Sequence, residues 1–130
     1  MKVVIDTNVL ISGLFWKGNP RKVIDLAISQ QIQSVTCLEI LQELQIVLTE
    51  DFHIPPTKLK DIVKDVLGYS QIVKIQSFDL KIRDLDDVKI IACAVSSGSD
   101  YIVTGDKDLL VLDQYHGIKI VTPSEFIKLL

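Results

Sequence analysis

The chain has 130 residues, of which 48% are hydrophobic and 24% charged, the composition of an ordinary globular protein that can bury a core. This argues against disorder, and the apolar runs are far shorter than the roughly 20 residues of a membrane-spanning helix. We therefore expect one domain over residues 1–130, a cytoplasmic location and no membrane partner. The net charge of −3 argues weakly against a passive nucleic-acid-binding surface, although bound divalent cations would change that balance.

The first predicted element is a β-branched strand that ends in a carboxylate. Val3-Val4-Ile5 leads into Asp6, and an apolar helix follows from Val9 to Trp16. A carboxylate just after a buried strand lies where open α/β sheets bind ligands, so Asp6 is a candidate functional residue. Alternatively, Asp6 or Thr7 is the N-cap of the helix, and both interpretations of Asp6 stay open.

A second helix is predicted to begin at Asn19, as its cap, with Pro20 in the first turn, and to run to about Gln31. Basic residues lie near its start and close to the Asp6 turn in sequence. They either solvate a helix face or contact phosphate. These residues are Lys17, Arg21 and Lys22.

Two further amphipathic helices are predicted in the middle of the chain. The first runs from Cys37 to about Thr49 and places Glu43 on the border of its apolar stripe, where a carboxylate can face a cleft or the solvent. The second follows Pro55-Pro56 and stops at Gly68. The next segment, Ile72 to Ile75, fits either a short strand or a loop.

An acidic cluster opens the next helix, and a further acid follows the next strand. Asp84, Asp86 and Asp87 precede an apolar helix around Ile90 to Val95, which Gly98 ends. Tyr101-Ile102-Val103 is a predicted strand, and Asp106 comes soon after its end. Acids therefore stand where elements begin or end, as active-site residues of α/β folds do.

The C-terminal part adds a short helix from Asp106 to Leu112, a strand from Ile118 to Val121 and a last helix. Thr122-Pro123-Ser124-Glu125 supplies that helix with a cap, a first-turn proline and a capping-box acid. Strands that alternate with helices predict a three-layer α/β/α sandwich with a central, mostly parallel sheet.

Four carboxylates from four elements form the candidate site: Asp6, Glu43, Asp87 and Asp106. Oxygen ligands without His or Cys suit Mg²⁺ or Mn²⁺ and would make a poor zinc site. One or two such cations could activate water for phosphodiester cleavage. A phosphohydrolase of small substrates would use similar acids. Cys37 and Cys93 lack a metal-ligand spacing and are predicted to be buried, reduced thiols.

The order of these motifs resembles the PIN-domain nucleases and, among them, VapC-type toxins of toxin–antitoxin pairs. The resemblance covers nearly the whole chain. It rests on V-V-I-D-T-N-V-L-I-S-G-L, W-K-G-N-P-R-K-V, E-I-L-Q-E-L, D-L-D-D-V-K-I-I-A-C-A and D-Y-I-V-T-G-D-K-D-L-L.

The family's four acids then fall on Asp6, Glu43, Asp87 and Asp106, as metal ligands and catalytic residues. Asp87 is preferred as the third because of its spacing to I-I-A-C-A, with Asp84 and Asp86 as neighbours that could share its role. Asn8, Thr104 and Asp108 match polar positions that would support the ligands by hydrogen bonds. Lys107 joins the three basic residues above as a possible RNA contact. Cys37 stands where relatives have Ser or Thr.

The resemblance implies Mg²⁺- or Mn²⁺-dependent hydrolysis of RNA phosphodiesters, with metal-activated water as the nucleophile. It also implies two protein partners, an antitoxin that occupies the acidic cleft and a second copy of the chain in a homodimer. A regulator that keeps the fold and acts by binding a partner, without catalysis, is the alternative.

Overall fold

Six short strands form one sheet in the part of the chain that the structure describes. The computed structural model describes residues 1–76 and 88–130 in full, and for residues 85–87 the backbone of a helix. The strands are β1 Lys2–Ile5, β2 Gln33–Thr36, β3 Ser70–Ile72, β4 Tyr101–Val103, β5 Gln114–Tyr115 and β6 Ile118–Val121. The helices are α1 Thr7–Phe15, α2 Asn19–Ile28, α3 Leu38–Glu50, α4 Pro56–Tyr69, α5 Leu85–Ser97, α6 Lys107–Leu110 and α7 Pro123–Lys128.

The strand order is β3-β2-β1-β4-β6-β5, with parallel pairings except for the antiparallel pair β5 and β6. The molecule is a three-layer α/β/α sandwich with a central, mostly parallel sheet, as the sequence predicts. The chain builds outward from β1 through β2 to β3, and then returns to the other side of β1 with β4. The crevice between the carboxyl ends of β1 and β4 is therefore the topological switch point, where sheets of this kind bind ligands.

The core lies around β1 and α5. Val3, Val4 and Ile5 are at most 1% exposed because strands flank β1 on both sides and helices cover the sheet. In α5 the segment from Ile90 to Ala94 is buried, as its apolar pattern predicts. This packing holds the strand ends that carry the candidate acids.

Some element boundaries differ from the predicted ones. Residue 18, not Asn19, is the N-cap of α2, with Pro20 still in the first turn, and the helix ends at Ile28 before reaching Gln31. Helix α4 continues through Gly68, whose backbone stays helical, and β3 follows at once, earlier than the predicted Ile72. The Thr122–Glu125 capping box of α7 is present as predicted.

Within the described residues, β2 and β5 are strands that the sequence pattern does not indicate. The segment Gln33–Thr36 has one aliphatic side chain, yet Ser34 and Thr36 are buried because β1 and β3 pair with it on either side. Pairing partners distant in sequence therefore decide this element. No helix in the described part of the chain has the length and apolarity needed to cross a bilayer.

Candidate active site

The candidate site lies at the carboxyl ends of β1 and β4. Because Ile5 pairs with Val103 in the parallel register, the next residues of both strands leave the sheet side by side. The Asp6 amide still donates to the Val103 carbonyl at 3.0 Å. Asp6 and Thr104, which are 98 residues apart in sequence, are thus neighbours at the switch point.

Both carboxylate oxygens of Asp6 accept hydrogen bonds. The Thr7 amide donates to Oδ1 at 2.7 Å, and the Thr104 hydroxyl donates to Oδ2 at 2.6 Å. The first of these bonds makes Asp6 the N-cap of α1, and the side chain is only 7% exposed. The two interpretations of Asp6 that the sequence leaves open are therefore compatible, since one carboxylate both caps a helix and lines the crevice.

Thr7 connects Asp6 to Glu43. Its hydroxyl donates to Glu43 Oε2 at 2.9 Å, while its amide caps onto Asp6. The same Oε2 atom forms an ion pair with Lys89 Nζ at 2.8 Å, and the exposed fractions of these two charged side chains are 17% for Lys89 and 30% for Glu43. Glu43 thus faces the crevice from the border of the apolar stripe of α3, where the helical spacing placed it.

Asp106 is joined to this group through Thr104. The Asp106 amide donates to Thr104 Oγ1 at 3.0 Å, and Asp106 Oδ1 accepts the Asp108 amide at 2.9 Å as the N-cap of α6. Asp108 itself is exposed and contributes its backbone to this cap. A continuous set of hydrogen bonds therefore runs from Glu43 through Thr7, Asp6 and Thr104 to Asp106.

Negative charge converges on Asp6. Burial is the main cause that raises the pKa of Asp6, and the carboxylates of Glu43 and Asp106 raise it further. The hydrogen bonds from Thr104 and Thr7 lower the same pKa and offset part of this effect. A divalent cation in the crevice would relieve this repulsion, because opposite charge favours the ionised form.

The donor chemistry fits Mg²⁺ or Mn²⁺. The candidate ligands are carboxylates, and each Asp6 oxygen keeps a lone pair beyond the hydrogen bond that it accepts. Among the residues whose side chains are described, no group of three or more His, Cys, Asp or Glu side chains is arranged to hold a metal ion. The side chains of Asp84, Asp86 and Asp87, which include the third expected ligand, lie outside the described residues.

A shallow cavity of about 320 Å³ is lined by residues that lie close in sequence to Asp6 and Asp106. Asn8 on α1 and Gly105, next to Asp106, both line it, and its other polar side chains are Ser12, Asn19, Thr122 and Ser124. Asn8 is exposed there, and among the described hydrogen bonds Thr7, not Asn8, bonds Asp6. A supporting role for Asn8 stays a prediction.

The predicted basic residues lie at separate places. Arg21 pairs with Asp25 at 3.0 Å and lines a cavity beside α4, and Lys22 lines another near the C-terminus. Lys17 is exposed just beyond α1, and Lys107 is exposed in the first turn of α6, next to Asp106. Lys107 is therefore adjacent in sequence to a candidate ligand, whereas the cavities lined by Arg21 and Lys22 are not the one beside Asp106.

Both cysteines are fully buried free thiols, as predicted. Cys37 is the N-cap of α3 and forms no side-chain cap bond with the residues described. Its contact with Cys93, together with burial, raises the pKa of Cys93, which is therefore a neutral thiol at neutral pH.

The sequence indicates no site role for Thr7, which it suggests only as a helix cap, or for Lys89, although both contact Glu43 in the structure. Lys89 could have been noticed in the sequence, because it is the one charged residue within the apolar run from Val88 to Val95. Thr7 is less conspicuous, as a hydroxyl residue directly after Asp6. The sequence does not show that either residue contacts Glu43, because Glu43 is distant from both in sequence.

The chain is similar to known proteins in both sequence and fold. A family model described as PIN domain matches residues 2–108. The chain is 35% identical, over an alignment of 147 positions, to the uncharacterized protein MJ1680 of Methanocaldococcus jannaschii, covering 98% of this chain and 90% of that protein. Its fold is similar to that of a chain in the crystal structure of VapBC2 from Rickettsia felis bound to a DNA fragment from their promoter. That match has a TM-score of 0.66 at 12% identity and covers 92% of this chain and 97% of the other.

Proposed function

Because the chain belongs to the PIN domain family, we propose that it is a metal-dependent ribonuclease that hydrolyses RNA phosphodiester bonds at the Asp6 crevice. One observation carries the proposal: a single set of hydrogen bonds links Glu43, Asp6 and Asp106 at the switch point of the sheet. These three acids, with Asp87, would hold Mg²⁺ or Mn²⁺. When bound, such a cation lowers the pKa of a water molecule and stabilises charge on the leaving oxygen.

The protein's own residues hold the acids in place. Hydrogen bonds from the Thr104 hydroxyl and the Thr7 amide orient the Asp6 carboxylate, and a hydrogen bond from the Thr7 hydroxyl orients the Glu43 carboxylate. Because Asp6 is largely buried, solvent screens its charge only weakly and the charge interacts strongly with any cation nearby. Preorganised carboxylates lower the cost of ordering the site when substrate binds.

The cavity beside the acids supports a polymeric substrate. Its side chains Asn8, Ser12, Asn19 and Ser124 can donate hydrogen bonds to phosphate and ribose oxygens. Lys107 adds a positive charge next to Asp106. An RNA strand bound in this cavity would bring one of its phosphodiester groups close to the candidate acids.

Cleavage of a mixed RNA pool tests the proposal. Purified protein should cut RNA with Mg²⁺ or Mn²⁺, and both EDTA and Asp6→Asn should abolish cutting. The matched control is Asp61→Asn, the same substitution at an exposed site on α4, which should cut like the wild type. Equal metal-dependent cleavage by the Asp6→Asn protein would contradict the assignment of the site.

Parallel assays with small phosphate esters and a measurement of metal binding separate the other candidate functions. Hydrolysis of small phosphate esters without cleavage of oligonucleotides would indicate a small-substrate phosphohydrolase. Folded, partner-free protein that binds no metal and cuts no RNA would indicate a regulator that acts by binding alone.

We further propose that the chain is the toxin of a toxin–antitoxin pair and forms a homodimer. The likeness in fold to a chain of the VapBC2 structure supports the toxin–antitoxin assignment, whereas the homodimer rests on the resemblance in sequence alone. Coexpression with the product of an adjacent reading frame should give a complex with suppressed RNA cleavage. Light scattering on the isolated chain should give twice the 14.6 kDa mass of one copy.

A further inference from the structure

We infer that Lys89 is a positioning residue of the acidic site, an internal cation that holds Glu43 and sets how tightly a divalent metal ion is bound. The inference rests on the proposed function, since it assumes that Glu43 is a metal ligand. It concerns a residue to which neither the family match nor the sequence pattern assigns a role.

The geometry places two donors on one oxygen of Glu43. The Lys89 ammonium at 2.8 Å and the Thr7 hydroxyl at 2.9 Å both contact Oε2. Thr7 in turn caps onto Asp6 through its amide. The ammonium group therefore contacts the same Glu43 oxygen as the Thr7 hydroxyl, and Thr7 is the residue whose amide bonds to Asp6.

Lys89 is a poorly exposed cation on a mostly apolar helix. Its side chain is 17% exposed, and the next two residues of α5, Ile90 and Ile91, are buried in the core. A lysine in such a position loses hydration, and this loss is offset when its ammonium pairs with a carboxylate. Lys89 and Glu43 thus stabilise each other in the metal-free protein.

A divalent cation at Glu43 competes with this ion pair in two ways. It needs lone pairs of the Glu43 carboxylate, and one oxygen of that carboxylate already accepts from two donors. The positive charge of the metal ion also repels the ammonium group. Lysine suits this role because its point charge sits on a flexible stem and can withdraw while keeping its charge. Metal binding therefore includes the cost of moving Lys89 away from Glu43, which lowers the affinity.

Calorimetric titration of Mn²⁺ into metal-free protein tests the inference without any assay of cleavage. Lys89→Met, which keeps the length and apolar stem, should lower the Kd for Mn²⁺ by about fivefold to tenfold, the scale of a unit charge a few ångströms from a divalent ion. Lys89→Arg should stay within about twofold of the wild type because it keeps the charge. The control Lys60→Met, at an exposed site on α4, should leave the Kd unchanged.

The melting temperature without metal supplies a second measurement. Lys89→Met should melt below the wild type in EDTA, because Glu43 loses its cation, and Mn²⁺ should raise its melting temperature more than that of the wild type. If the Met variant does not fold, Lys89→Gln, which keeps a donor for Glu43 without the charge, replaces it in both measurements.

The outcomes separate the inference from the proposed function. Mn²⁺ affinity in the uncharged Lys89 variants that equals or falls below that of the wild type overturns the role of Lys89. Even then, the metal site itself is supported if the wild type binds Mn²⁺ and the Asp6→Asn protein does not. Absence of Mn²⁺ binding in the wild type and in every Lys89 variant overturns both.

Discussion

The two oxygens of Asp6 serve different parts of the molecule. Oδ1 accepts the amide that begins α1, and Oδ2 accepts the Thr104 hydroxyl from the neighbouring strand end. An asparagine could make the capping bond, because Asn and Asp are similar N-caps. The cap alone therefore does not require a carboxylate, and an ionisable group buried beside two other acids fits the cation site proposed above.

Asp6→Asn should stabilise the metal-free protein at neutral pH. The pKa of Asp6 is raised in the folded state, chiefly by burial, so folding favours its protonated form. Its contribution to the free energy of unfolding is thus fully present below the unfolded pKa, about 3.9, and is lost as pH rises through the higher folded pKa. An advantage of about 1 kcal/mol for the Asn protein would raise Tm by about 3–6 °C.

Thermal melts in EDTA between pH 4 and pH 8 measure this effect. The difference in Tm between Asp6→Asn and the wild type should increase with pH and then level off. The Asp61→Asn control should show no such increase. An Asn protein that melts at or below the wild type across this range would mean that the negative charge of Asp6 stabilises the fold.

At the scale of elements, α1 and α2 pack closely through Gly13. A Cβ atom at this position would overlap Ile24 Cδ1 and lie 3.2 Å from both Ile24 Cγ1 and the Pro20 carbonyl oxygen. Ile24 is 2% exposed, so its side chain has little space into which it can move. The glycine thus fixes the approach of α2 to the helix that begins at Asp6.

Gly13→Ala should destabilise the protein, and Gly68→Ala should not. Alanine improves helix propensity at both positions by about 1 kcal/mol. At Gly13 the steric overlap should outweigh that gain and leave a net loss of about 1–2 kcal/mol. At Gly68, inside α4, an added Cβ meets no described atom within 4 Å, so a gain of about 0.5–1 kcal/mol is expected.

Urea unfolding of the two alanine proteins gives the comparison directly. Both substitutions add the same methyl group to a helical glycine, so helix propensity cancels between them. A similar gain in stability for both would contradict close packing of α1 on α2.

At the scale of the whole molecule, parallel strands gather the acids. The carboxyl ends of β1 and β4 meet at one edge of the sheet, which brings Asp6 and Thr104 together across 98 residues of chain. An unfolded chain has no such site. The metal binding proposed at the crevice would therefore be linked to folding of the entire domain.

Mn²⁺ should accordingly raise the melting temperature of the wild type. A ligand that binds the folded state at one hundred times its Kd adds about 2.7 kcal/mol of stability, which corresponds to an increase of roughly 8–16 °C. Asp6→Asn should show a much smaller increase, and EDTA should reverse the effect in the wild type. Equal increases in both proteins would place the bound metal elsewhere.

The amino-acid sequence by itself determined the elements whose signals are local. The β-branched runs that became β1, β4 and β6, the apolar pattern of α5 and the Thr122–Glu125 cap are all read from neighbouring residues. The order of these elements also sufficed to predict the fold class, because strands that alternate with helices favour a parallel sheet. The positions of Asp6 and Asp106 after strands followed from the same patterns.

Only the tertiary structure decided which side chains meet. The strand Gln33–Thr36 depends on β1 and β3 for its hydrogen bonds, and the bonds of Thr7 and Lys89 to Glu43 join three separate helices. Local periodicity specifies the face on which a side chain lies, but it does not specify the partner that another element brings to that face. Strand order, register and helix packing make that choice, because they set the distances between atoms that are far apart in the chain.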